Sequence, residues 1–234
     1  MVRIFVESEA FASGQLIEIQ GKELHHARDV LRAQVGEKIT VVNGRGWIGT
    51  ARIDLVERKR IVCTILDGEQ RISDRSKLWL VLGNMRPHHL DFAVEKGVEI
   101  GVDAFLIFQA DRSEVKLSDR STRIEAVIRA AVKQSARLME PVFSFASNLD
   151  AALKKVPHTV FWANFGGLWI RERLAEMKTR EDTAIFIGPE SGWSEREVEV
   201  LSRMGPSVLL DENVLRAETA AIVAAYEVAR WLRH

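Results

Sequence analysis

Apolar and polar residues follow two different rhythms along this chain. Up to about residue 68 the apolar positions come in short runs: Leu16-Ile17-Glu18-Ile19, Lys38-Ile39-Thr40-Val41-Val42 and Ile61-Val62-Cys63-Thr64-Ile65. Runs of this length and composition predict strands. Asn43-Gly44 is a hairpin signal, and Trp47 to Ile53 continues beyond it as the next strand. One helix interrupts the strands, where Leu24, Ala27, Val30 and Leu31 recur at helical spacing ahead of Gly36. Short strands around one helix predict a small barrel.

Residues 69–76 are polar and predict a linker, after which strands and helices alternate. Strands are predicted at Leu78–Leu82, Ala104–Phe108, Val160–Trp162, Ala184–Ile187 and Val208–Leu210. A helix over His88–Ile100 places Leu90, Ala93, Val94, Gly97 and Val98 on one face, with Gly101 as its C-cap. A longer one over Arg120–Glu140 turns Ile124, Val127, Ile128, Ala131, Ser135 and Leu138 inward and stops at Pro141. Ser194 and Glu197 have the spacing of a capping box for a helix that ends at Gly205-Pro206. Ala217–Leu232 is the last helix. This alternation predicts an α/β domain with a mostly parallel sheet covered by helices. The division falls into residues 1–70, β-rich, and 71–234, α/β.

Composition narrows the function. With 33 basic and 33 acidic residues the formal charge of the 234 residues is zero, which argues against a strongly basic, nonspecific nucleic-acid binder and leaves room for a local basic patch. The single cysteine, Cys63, lies in a strand-like run and reads as core filling. The N-terminal residues lack an apolar signal stretch, and no run approaches a membrane span, so a soluble, cytoplasmic protein is expected.

Several motifs compete for attention. Gly44-Arg45-Gly46-Trp47-Ile48-Gly49 fits the dinucleotide pattern GxGxxG, but that fingerprint needs a helix after the turn, and here a strand follows. His25-His26 and His88-His89 are sequence neighbours, poorly placed on a helix to share an ion, and read as surface or cap histidines; no metal is expected. Arg129, Lys133 and Arg137 recur every four residues and form a basic stripe on the long helix, with Arg112 and Lys116 ahead of it; a stripe of this kind is a solvated face or an RNA contact. Two turns stand out, each between a predicted strand and a helix. Ile187-Gly188-Pro189-Glu190-Ser191-Gly192 lets backbone approach a ligand closely, and the helix opening near Ser194 can offer free N–H groups to a polar group. Leu215-Arg216-Ala217-Glu218-Thr219-Ala220 sets an arginine, with five donors, at the start of the last helix. Two such turns at the carboxyl ends of strands predict one small-molecule pocket.

Taken together, these segments resemble the 16S ribosomal RNA uridine-N3 methyltransferases of the RsmE type, in the SPOUT superfamily. The resemblance runs nearly end to end. It includes His26 with Val30-Leu31-Arg32, Gly36-Glu37-Lys38 and Asn43-Gly44-Arg45-Gly46, similar to a PUA-like N-terminal domain. It also includes the stretch Phe92 to Val102, Arg112 to Leu117, Lys133 to Arg137 and, most specifically, the two C-terminal turns. Ser191, Asp211 and Lys133 depart from the family pattern, and the serine is expected to add a side chain close to the cofactor.

The resemblance implies a trefoil-knotted parallel sheet with helices on both faces, behind a PUA-like β-barrel. It implies S-adenosyl-L-methionine held by three segments: Asn164, Phe165 and Gly166; Ile187, Gly188, Pro189, Glu190, Ser191 and Gly192; and Leu210, Leu215, Thr219 and Ala220. The partners it implies are 16S rRNA in the small ribosomal subunit and a second copy of the chain in a homodimer. Arg216 is expected to stabilise the uracil anion. Glu218 is either the proton acceptor or a group that orients Arg216. Arg28, Arg32, Arg112, Lys116, Lys133 and Arg137 are the candidate phosphate contacts. Open alternatives are methylation of another RNA base or a ribose, a non-catalytic ribosome-assembly factor, and an ordinary Rossmann-type binder; the last is disfavoured because Gly83-Asn84-Met85-Arg86-Pro87 carries no fingerprint.

Overall fold

The structure is a computed structural model that describes residues 3–30 and 32–233. The chain divides into two compact units, residues 1–73 with 132–140, and residues 74–131 with 141–234.

In the first unit the strands are β1 (Arg3–Phe5), β2 (Leu16–Ile19), β3 (Lys38–Val42), β4 (Trp47–Val56) and β5 (Ile61–Gln70), and between β2 and β3 lies α1 (Gly21–His25), widened by one π turn over His26–Val30. They form a five-stranded sheet ordered β1-β3-β4-β5-β2, antiparallel except for β1 beside β3. β5 shows why it is a strand: Ile61, Cys63 and Ile65 are fully buried and the residues between them are not, the period of one covered face. Leu24 and Ala27 pack into the same core, as the helical spacing predicts. Leu31 lies outside the described residues, as do the side chains of Val30 and His26. The Gly44–Gly49 pattern is a hairpin: Val42 pairs with Ile48, and the Asn43 carboxamide oxygen accepts from the N–H groups of Arg45 at 2.8 Å and Trp47 at 3.1 Å. Gln70 still belongs to β5, so the irregular connection begins later than the polar composition implies.

The second unit holds β6 (Leu78–Gly83), α2 (Pro87–Ile100), β7 (Ala104–Phe108), α3 (Ser121–Gln134), β8 (Val142–Ala146), α4 (Leu149–Leu153), β9 (Thr159–Trp169), α5 (Ile170–Glu176), β10 (Thr183–Ile187), α6 (Glu195–Met204), β11 (Ser207–Leu209) and α7 (Ala217–Arg233), the last turn of α3 grouping with the first unit. The six strands are parallel and ordered β11-β9-β10-β6-β7-β8. β7 and β10 are buried at every position, the mark of strands covered on both faces. Val81, Phe108 and Phe186 pack with Leu149 and Ala152 of α4 and Leu201 of α6. The other face is covered by α2 and α7, which pack on each other. Gly101 closes α2 in the left-handed conformation, at φ 106°.

The long helix predicted to Glu140 ends at Gln134. The Ala136 N–H bonds back to Lys133 O and the Arg137 N–H to Val132 O, with Ala136 at φ 57°, a Schellman closure formed without glycine. Beyond it, Met139 bridges Arg45 in antiparallel fashion. Arg137 is therefore off the helix, and the three-residue basic stripe is broken. β8, α4 and α5 were not anticipated. β9 runs past Trp162 to Trp169, and its pairing with β11 jumps: Ser207 opposes Trp162, but Val208 opposes Leu168. Residues 163–167 bulge out between those two registers.

Candidate functional site

Three segments, a bulge within β9 and the stretches at the carboxyl ends of β10 and β11, enclose one cavity of about 640 Å³ in the second unit. The first is the bulge, with Ala163, Asn164 and Phe165. The second is the turn Ile187–Gly192, and the third runs from Val208 to Ala220. The second turn is shaped by a hydrogen bond from the Gly192 N–H to Pro189 O at 2.9 Å, with Gly192 at φ 72°. It lies directly on the end of β6: a Cβ on Gly83 would stand 2.8 Å from Pro189 N and Cδ. Only a glycine at residue 83 lets the turn close this far over the sheet.

Trp193 floors the cavity. Its ring stacks on Phe108 at 6.3 Å and 11°, meets Trp162 edge-on at 6.4 Å, and donates Nε1–H to Ala163 O at 2.9 Å. That last bond ties the floor to the β9 bulge.

Asn164, Phe165, Ile187, Gly188, Pro189, Glu190, Gly192, Leu210, Leu215, Arg216, Glu218 and Ala220 all line the cavity. Gly166, Ser191 and Thr219 are absent from its lining. The Ser191 hydroxyl lies 3.3 Å from Glu114 Oε1. Asp211 does line the cavity and closes its own turn, accepting from the Asn213 backbone and side-chain amides at 2.9 Å each.

The start of α6 is closed by its capping box. Ser194 Oγ accepts from the Glu197 N–H at 3.1 Å, and Glu197 Oε2 from the Ser194 N–H at 3.0 Å; Glu197, fully buried, also accepts from the Asp111 N–H at 3.0 Å. These donors are already satisfied. Beside them, the Arg196 guanidinium and then the Ser194 hydroxyl hold the Asp111 carboxyl below the usual carboxylate range. A carboxyl lowered on folding stabilises at and above its ordinary pKa, and that contribution is lost as pH falls through the folded value. Asp111→Asn should therefore be less stable than the parent chain in urea titrations at about pH 6, with the difference shrinking by about pH 3.

Sequence reading missed His89. It is no surface histidine: its side chain is 19% exposed, Nδ1 lies 3.1 Å from Glu190 Oε1 and Nε2 3.7 Å from Glu218 Oε1. Burial works against the charge on Glu190, but the N–H groups of Arg86 and of Glu190 itself, followed by His89, outweigh it and lower the carboxyl below its ordinary value. Glu218 is 8% exposed, and both carboxylates keep a buried Oε2 without a hydrogen-bond partner among the described residues. One Glu218 oxygen lies by His89, and no hydrogen bond joins Glu218 to Arg216 among the described residues. Arg216 is exposed at the cavity, and its guanidinium has no hydrogen bond or ion pair among the described residues. Arg86, also on the lining, spends its guanidinium on Glu114 at 2.8 Å.

The candidate phosphate contacts fall in different units. Arg112 and Lys116 are exposed in the second. In the first, Arg28 is paired with Asp29 and Arg58 O, Lys133 with Glu23 and lies over the Phe5 ring, and Arg137 sits in the turn after α3; Arg32 is exposed at φ 53°. No helix among the described residues is long and apolar enough to cross a membrane.

A family model described as an RNA methyltransferase domain matches residues 73–229, and one described as an RNA methyltransferase PUA domain matches residues 19–66. The chain is 26% identical to the ribosomal RNA small subunit methyltransferase E of Bacillus subtilis (strain 168), over 96% of this chain and 94% of that protein. In fold it is similar to a probable rRNA-methyltransferase from Porphyromonas gingivalis, with a TM-score of 0.87 at 23% identity over 100% of this chain and 99% of the other. It is also similar to a ribosomal RNA small subunit methyltransferase E from Neisseria gonorrhoeae bound to S-adenosyl methionine, with a TM-score of 0.83 at 24% identity over 96% and 95% of the two chains.

Proposed function

The chain belongs to the RNA methyltransferase domain family, and from that premise we propose that it methylates N3 of a uridine in small-subunit 16S rRNA, with S-adenosylmethionine as donor. The observation that carries this beyond the family is the cavity itself, which an exposed, unpartnered arginine and two carboxylates with unpartnered buried oxygens line together.

The residues present fit the cofactor. Ile187, Leu209, Leu210 and Leu215 offer apolar walls for an adenosyl group, and the unpartnered oxygens of Glu190 and Glu218 give a negative environment suited to a cation. When bound, S-adenosylmethionine supplies an electrophilic methyl group on a sulfonium. The remaining difficulty lies in the acceptor, because neutral uracil holds a proton on N3. As that proton leaves, charge spreads to O2 and O4. Arg216 meets it there with donors not committed elsewhere, the arrangement that makes preorganised donors effective. Glu218 is the candidate proton acceptor, with His89 on its other oxygen.

The assignment is tested by incubating the full chain with labelled S-adenosylmethionine and small ribosomal subunits that lack the modification, then identifying the product nucleoside by mass spectrometry. 3-Methyluridine is expected; a methylated ribose or another base would move the substrate elsewhere in the family. No transfer and no cofactor binding would favour the assembly-factor reading.

Arg112 and Lys116 are proposed to contact phosphate, supported by their exposure. Replacing each with alanine should weaken RNA binding regardless of sequence and reduce the slope of log affinity against log salt by roughly 0.7–0.9 per charge. Fluorescence anisotropy across a salt series checks it, and an unchanged slope would assign both to a solvated face. The homodimer and the knotted threading of α7 belong to the same proposal. Phe165 and Val214, 58% and 81% exposed, are the kind of apolar surface a second copy covers, and sedimentation equilibrium reads the stoichiometry directly.

A further inference from the structure

His89 brings two carboxylates of the cavity wall together. It reaches Glu190, in the turn after β10, and Glu218, in the first turn of α7, through its two ring nitrogens. Other charged or titratable groups stand around it. The His88 ring centroid is 3.9 Å away, the Arg86 guanidinium is engaged by Glu114, and Arg216 lines the same cavity from the loop before α7. With a neutral imidazole the trio carries the charge of two carboxylates; with an imidazolium it carries one less. Imidazole is the side chain whose charge changes between about pH 5 and 8.

The donor and its product differ in charge at one atom. S-adenosylmethionine bears a sulfonium, and once the methyl has left, S-adenosylhomocysteine bears a neutral thioether on the same skeleton. We infer that the protonation state of His89 sets how strongly this cavity prefers the sulfonium cofactor over its demethylated product. A neutral His89 leaves both carboxylates to attract the cation. An imidazolium cancels one of them and erodes the preference, whereas the thioether responds far less. The effect is amplified in a partly desolvated wall, where charges interact more strongly than in water. By linkage, binding the cation must in turn expel protons from the trio. This rests on the cofactor reading given above, and it makes His89 a positioning and charge-setting residue.

The test is titration calorimetry of the full chain with S-adenosylmethionine and with S-adenosylhomocysteine, from about pH 5.5 to 8.5, in two buffers of different ionisation enthalpy. The ratio of product to substrate Kd should rise at least about fivefold from the acid to the alkaline end, and substrate binding should release more protons than product binding. His89→Gln should hold the ratio high and flat, His89→Lys low and flat, and His88→Gln should keep the wild-type slope. A flat wild-type ratio with both ligands binding overturns the inference, as does a slope that survives in His89→Gln or vanishes in His88→Gln. The proton-release measurement needs no variant, so a misfolded substitution does not rescue the idea. If neither ligand binds, the cofactor reading fails and takes this inference with it.

Discussion

Arg216→Ala should lower the turnover of methyl transfer by about 10²–10³-fold while changing the affinity for S-adenosylmethionine little. The expectation follows from where the guanidinium stands. It lines the cavity, is exposed, and has no carboxylate or carbonyl partner among the described residues, so its removal leaves no buried charge behind. Its donors act only when an anion develops, which is the condition for an effect on turnover rather than on binding. Arg216→Lys keeps the charge and loses the planar fork, and should recover only part of the rate. Single-turnover kinetics, with cofactor affinity measured on the same preparations, separate the two quantities. Near-normal turnover in the alanine variant would remove Arg216 from the chemistry, and an equal loss in cofactor affinity would make it a binding group.

Trp193→Ala carries the largest expected effect on stability, about 3–5 kcal/mol by the measure of buried aromatic truncations. The ring packs against Phe108 and Trp162, and its N–H holds Ala163 O at 2.9 Å. Truncation opens a void in the core and also frees the carbonyl that anchors the β9 bulge. In thermal unfolding a loss of this size shifts the midpoint by roughly 10 °C in a chain of this length. Trp193→Phe keeps most of the packing and gives up the hydrogen bond, so it isolates the anchor. It should cost less stability than the alanine variant but still weaken cofactor binding. A Trp193→Ala variant as stable as the parent would mean the cavity floor is not part of the core.

Much of this was legible in the sequence because the signals were local. Asn43-Gly44 between β-branched runs gave the hairpin, Ser194 and Glu197 gave the capping box, and apolar runs such as Ala104–Phe108 and Ala184–Ile187 gave the parallel strands. What failed was set by distant contacts. β8 has an exposed Val142 at its start and no alternation to betray it. α3 was read too long because Ser135 and Leu138 continue the helical spacing of Ile128 and Ala131 although the Schellman turn at Ala136 redirects the backbone. His89 looked like half of a surface pair; its partners, Glu190 and Glu218, lie about a hundred or more residues later, and only the sheet order brings them to one cavity. Local grammar could place the two C-terminal turns beside each other, but it held no information on which side chains would fill the wall between them.

The position of α7 has a consequence for how the second unit comes to exist. This helix buries Ala221, Ala224, Ala225 and Val228 completely, packs on α2, and covers β6 and β10. Every element it covers precedes it in the chain. During synthesis, therefore, the central strands leave the ribosome with this face covered only by α2, and the part over β6 and β10 that α7 takes stays bare until that helix follows. The unit should stay protease-sensitive and dependent on chaperones until α7 emerges, and then become resistant in a single late step.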